Sequence, residues 1–132
     1  MTILGGVGAA QAFSSASGGK VYGYTNINET TGTIVAPANP SRQRIRFHNP
    51  GASDIFIGPQ YVQNVLGTAP TSAAPPSNVA LTPTNAALGG TTRVYANGGT
   101  LEITGECQGA WQALAVTGAG TTNALTVIDS NT

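Results

Sequence analysis

No stretch of eleven or more residues keeps apolar side chains at helical spacing, because glycine and proline interrupt the chain at short intervals. Helices are therefore not its main building element, and short runs with strand character remain between the interruptions. KVYGYTNI (20–27) alternates and puts Tyr22 and Tyr24 on one face, while GTIVAP (32–37) is a β-branched run closed by Pro37. QRIRFHNP (43–50) and DIFIGP (54–59) are separated by NPGAS, whose turn chemistry predicts a β-hairpin. NVALTP (78–83) and TTRVYAN (91–97) read as strands, the second running into an NGG turn. TLEITGEC (100–107) alternates, with Leu101 and Ile103 inward and Glu102 and Thr104 outward. AWQALAVTG (110–118) sets Trp111, Ala113, Ala115 and Thr117 against Leu114 and Val116, and NALTVIDS (123–130) sets Leu125 and Val127 against Ile128.

About eight such strands, with turn signals every 8 to 15 residues, predict an all-β chain: a single-domain β-sandwich or jelly-roll-like barrel. A length of 132 residues suits one core. The domain is expected over 20–132, with Pro70, Pro75 and Pro76 marking a long Pro-rich loop at 62–78. Residues 1–19 are expected to make an extended Gly/Ala/Ser-rich N-terminal arm. Its AQA resembles a leader cleavage site, but a basic n-region is missing and Gly5, Gly6 and Gly8 break the apolar part. Such a stretch cannot bury enough apolar surface to order itself, so it becomes ordered only against something else, such as a neighbouring subunit. Ile3, Leu4, Val7 and Phe13 are the arm's candidates for gripping a partner.

Charge narrows the function classes. Only 8% of residues are charged, five basic against five acidic, where about a quarter is usual. A surface that is polar without being charged repels its own copies weakly, which suits an assembly or an extracellular setting better than a cytosolic enzyme. Zero net charge also excludes a domain-wide basic field for nucleic acid. Cys107 is the only cysteine, which excludes an intrachain disulfide and reads as a small buried hydrophobe. No apolar run approaches the roughly 18 residues that a membrane helix needs.

Catalytic groups are sparse. His48 is the single histidine, and no serine or cysteine can be assigned to it as a nucleophile. The carboxylates are Glu29, Asp54, Glu102, Glu106 and Asp129. In one strand Glu102 and Glu106 would stand about 13 Å apart, beyond the span of a glycosidase pair. His48 and Cys107 are too few for a zinc site, and GGVG and GGT lack the context of a phosphate loop. The expectation is a protein without catalytic residues, metal or cofactor. Tyr22, Tyr24, Tyr61, Tyr95 and Trp111 raise the alternative of a sugar-binding platform, although Trp111 alternates with small residues as a core anchor does.

Arg42, Arg44 and Arg46 are three of the five basic residues and recur at every second position. In an extended strand they share one face, with Ile45 and Phe47 on the other. Single-strand nucleic-acid binders place aromatic rings beside their basic groups, and here Phe47 faces away. The stripe then either pairs across strands with Asp54, Glu102 or Glu106, or docks on a carboxylate- or carbonyl-rich partner.

The Arg-rich strand running into RFHNPG and DIFIGP, followed by NGGTLEITGECQGAWQALAVTG and the terminal ALTVIDSN, resembles the small β-sandwich proteins of tailed bacteriophage heads. Those proteins decorate (cement) the capsid exterior or anchor head fibres. The resemblance covers roughly 40–60 and 90–131 and leaves out the arm and the Pro-rich loop. It implies a non-enzymatic virion protein on the capsid exterior that binds the major capsid protein and copies of itself as a dimer or trimer. Such a protein touches neither nucleic acid nor membrane, and it stabilises the shell by bridging neighbouring subunits. The alternative is a receptor- or glycan-binding module of a phage fibre or tail, or a secreted lectin-like domain.

Overall fold

The computed structural model describes residues 20–60, 80–87 and 91–131. The arm, with Ile3, Leu4, Val7 and Phe13, and the loop at 62–78 lie outside them. Eight strands form: β1 (Lys20–Ile27), β2 (Thr33–Ala36), β3 (Arg44–Asn49), β4 (Ile55–Pro59), β5 (Thr92–Val94), β6 (Gly99–Thr104), β7 (Trp111–Ala115) and β8 (Asn123–Ser130). They make two four-stranded antiparallel sheets, ordered β1-β8-β3-β6 and β2-β7-β4-β5. Successive strands alternate between the sheets except β4 and β5, which pair within one sheet, and this order is the double Greek key of a jelly roll. The expected all-β sandwich is therefore present in its jelly-roll form.

Alternation explains the core. Ile45, Phe47, Leu125 and Val127 face inward from one sheet, Ile55, Ile57, Ala113 and Ala115 from the other, and all are buried in one cluster. Leu101 and Ile103 pack against it half-buried, as their parity predicts. Trp111 packs there too, its ring 6.1 Å from that of Phe47, and its indole N–H donates to Cys107 O at 3.0 Å. The strand β7 is buried on both faces, because a segment outside the sandwich covers its outer side.

That segment corrects one expectation. Residues 80–82 are not a strand, and Pro83–Ala87 form a short helix, α1. Pro83 sits at the first helical position, where its missing N–H is not needed, and Ala86 N–H bonds back to Thr82 O. Leu81 and Ala86 bury against Leu114 and Phe56 on the outer face. The backbone of Leu81 finds its partners off the ladder, donating to Gln112 Oε1 at 2.8 Å and accepting from Gly32 N–H at 2.7 Å. Gly32 permits this approach, since a Cβ there would lie 2.5 Å from Gln112 Oε1 and 2.9 Å from Leu81 Cβ.

The NPGAS stretch is likewise not a hairpin. Both edges of β3 are taken, by β8 and β6, so β4 has no place beside it and joins the opposite sheet. NPGAS turns the corner between sheets around buried Asn49, whose amide donates to Ser53 O and Val94 O and accepts from Gly51 N–H. The NGG turn, with Asn97 at φ 62° and Gly98 at φ 107°, docks on this corner through bonds to Gly51 O and Asn49 O. A strand over 100–107 is also too long: β6 ends at Thr104 and Gly105 turns the chain at φ 81°. Glu106 therefore leaves the strand, and the face-sharing argument for Glu102 and Glu106 does not apply.

Candidate functional site

The arginine stripe divides in two. Arg44 and Arg46 point outward from β3 while Ile45 and Phe47 are buried, as parity predicts. Arg42 does not share their face. A turn at 39–42, closed by Arg42 N–H on Asn39 O, precedes β3 and breaks the alternation two residues before the strand begins. The Arg42 side chain is fully buried.

A buried guanidinium carries five N–H donors, each of which is costly to leave unmet. All five are met. Nε donates to Asp129 Oδ1 at 3.0 Å and Nη2 to Oδ2 at 2.9 Å, a bidentate pair. Nη1 donates to Cys107 O at 2.7 Å and Gly109 O at 2.8 Å, and Nη2 also to Pro37 O at 2.7 Å. Asp129 faces inward because the register sets it opposite Ile45. Gln108 Nε2 returns a bond to Arg42 O at 2.7 Å. One side chain thus joins the β2–β3 crossover, the β6–β7 crossover and the end of β8. Burial beside it pushes the Cys107 thiol up and keeps it protonated.

The partners weighed from the sequence fall differently. Glu102 meets the stripe only through Arg46, at 3.9 Å with both side chains about half exposed, a pair of little energetic weight. Asp54 pairs instead with Arg93, at 2.6 Å to Nη2 and 2.8 Å to Nε. Glu106 and Arg44 form no ion pair with any described residue. Asp129, the strongest partner, was hidden by its distance of 87 positions from Arg42. The inward parity of "TVIDS" and the run "NPSRQ", which turns before the strand, were the available signals.

On the outer face, β6 sets Thr104, Glu102 and Thr100 opposite Arg44, Arg46 and His48. On the other side β8 sets Ser130, Ile128 and Thr126 opposite the same residues. The result is a surface with two outward guanidinium groups near its middle, flanked by Thr100, Thr104, Thr126, His48, Glu102 and Ile128, while Ser130 is itself buried. Among the described residues Tyr22 and Tyr24 lie side by side, their ring centroids 6.5 Å apart. Tyr24 OH donates to Val35 O at 2.9 Å, and burial raises its pKa. Tyr95 is 65% exposed near the opposite corner, with the Arg93 guanidinium 5.7 Å from its ring and 5.5 Å from that of Phe56. Tyr61 lies outside the described residues. No candidate metal cluster occurs among the described residues.

No family model, curated protein or solved structure matches this chain.

The split stripe predicts opposite results for neighbouring arginines. Arg42→Gln removes one partner of a buried pair and is expected to cost about 3–5 kcal/mol. Arg44→Gln is expected to stay within about 0.5 kcal/mol of the parent. Urea denaturation of both variants measures the difference. Asp54 gives a pH signature: its carboxyl is held below the usual range first by the Ala96 N–H and then by Arg93. A lowered carboxylate contributes stability that is complete above its unfolded value of about 4 and is lost as pH falls through the folded value. An acid titration of thermal stability should therefore lose a step below about pH 4 in Asp54→Asn.

Proposed function

We propose that this protein is a non-enzymatic structural component of a phage virion that docks on the outer surface of the capsid and bridges neighbouring subunits. The observation that carries the reading is the outer face of the β1-β8-β3-β6 sheet. Arg44 and Arg46 stand there among hydroxyls, while Arg42 and Arg93 are held by internal carboxylates. Outward guanidinium groups on a rigid sheet offer bidentate contacts to carboxylates and carbonyls of a shell subunit. The jelly roll supports the reading at the level of fold, since viral capsid domains use it, as do lectins.

The arrangement of the ends is also in keeping with it. Lys20, the first residue of β1, and Gln60, which follows β4, are two chain points at one end of the sandwich. Both points lie at the Arg42 end, where Lys20 pairs in register with Asp129 and Gln60 N–H bonds to Ala110 O. A block that makes two contacts bridges two subunits, since the first contact raises the effective concentration at the second. Many copies of modest affinity then hold a shell together.

Co-sedimentation with expanded phage heads assembled without this chain tests the reading. The full chain is expected to bind in saturable, stoichiometric amounts. Arg44→Glu/Arg46→Glu should bind at least about tenfold more weakly, the loss of one charge-assisted contact or more, with its melting temperature retained. Absence of binding by the parent chain would contradict the proposal.

A further inference from the structure

The Arg42 end of the sandwich carries a cleft of about 340 Å³ between the start of β1, the β2–β3 crossover and the end of β8. Its polar lining is Lys20, Tyr22, Asn39, Ser41, Asp129 and Asn131. Three of these side chains have polar heads with no hydrogen-bond partner among the described residues: the Lys20 ammonium, the Tyr22 hydroxyl and the Ser41 hydroxyl. The others are held in place. Asp129 is fixed by the Arg42 fork, and the Asn39 amide nitrogen lies 3.5 Å from both Asp129 Oδ1 and Asn131 Oδ1. Asn39 Oδ1 accepts from Ser41 N–H at 3.0 Å, which orients the amide. The cleft thus has a prearranged floor and three unused donors.

Charge and size select the ligand. Arg42 cancels Asp129, so Lys20 is the one uncompensated charge of the lining and favours an anion. The volume is at the small end of the roughly 300–1,000 Å³ that ligand sites occupy, enough for one ring and too little for a stretch of peptide. Hydroxyl and amide groups beside an aromatic ring match a molecule with a hydroxylated edge and an apolar face. We propose that this cleft binds a carboxylate-bearing sugar, a uronic or sialic acid residue, either free or at the end of a glycan. Lys20 takes the carboxylate, and Tyr22, Ser41 and Asn39 take the hydroxyls. A floor already fixed by Arg42 lowers the ordering cost of binding.

This inference is independent of capsid docking, which uses the outward arginines of β3. Amide chemical-shift titration of the full chain tests it with glucuronate and N-acetylneuraminate, each as the free acid and at the end of an oligosaccharide, with glucose and acetate alongside. At least one sugar acid should give saturable shifts confined to 20–22, 38–41 and 129–131. It should bind about tenfold or more tighter than both glucose and acetate, the worth of one charged contact plus the hydroxyl bonds. Lys20→Gln should abolish the preference over glucose, and Ser41→Ala and Tyr22→Phe should each weaken binding severalfold with the melting temperature unchanged. Absence of saturable shifts, equal binding of acetate, or a preference that survives Lys20→Gln would overturn the assignment. A polyaspartate peptide shifting these amides while neither sugar acid does so would overturn it in favour of a protein ligand.

Discussion

The Arg42 guanidinium lies fully out of water, and the geometry of one whole end of the molecule follows from satisfying it. An isolated buried cation is untenable, so its five donors must each find an oxygen. Two find the Asp129 carboxylate and three find the carbonyls of Pro37, Cys107 and Gly109, which belong to the two chain crossovers at that end. Together with the bonds from Gln108 and Trp111, these contacts hold the two loops at the spacing of a planar fork. A buried ion pair is not needed for stability as such, since well-packed apolar residues often serve equally well. What a fork with five fixed directions adds is position, and position is what the neighbouring cleft and the start of β1 require.

The opposite end reaches the same result with other groups. Asn49 and Asp54 there bind the β3–β4 and β5–β6 crossovers together, and Glu29 accepts from the backbone N–H groups of Gly118 and Gly120 to hold the β1–β2 connection against β7–β8. Every connection except β4–β5 passes from one sheet to the other, and these crossovers are what the clasps hold. Several of the chain's few charged residues serve inside these clasps. Arg44 and Arg46 stay on the outer face of β3, Arg46 with only a loose contact to Glu102, while Lys20 stands without an ion pair among the described residues beside the cleft.

Strand positions were legible because alternation is a local property: β1, β3, β6, β7 and β8 each follow from apolar residues two apart. What was not legible depends on distant partners. Arg42 shares the spacing of Arg44 and Arg46, yet the turn at Asn39 removes it from the strand, and its partner is 87 positions away. NPGAS has good hairpin chemistry, and only the presence of β6 and β8 on both sides of β3 turns it into a corner between sheets. NVALTP has strand-like residues, but Gln112 and Gly32 offer Leu81 its hydrogen bonds outside any ladder, and Pro83 starts a helix instead. Of the candidate site, Arg44 and Arg46 were readable from parity. The cleft was not, since its walls come from three separate parts of the chain.

Native-state hydrogen exchange across a denaturant series tests most directly whether Arg42 makes its end of the sandwich one unit with the core. Asn39 N–H bonds to Gln108 O, Gln43 N–H to Ser130 O and Gln60 N–H to Ala110 O, all around the buried fork. If the fork binds these loops to the sheets, the three amides exchange only through global unfolding and converge with those of Ile45 and Phe47. Fast exchange of the three through a denaturant-independent local opening, with Ile45 and Phe47 still protected, would contradict the account.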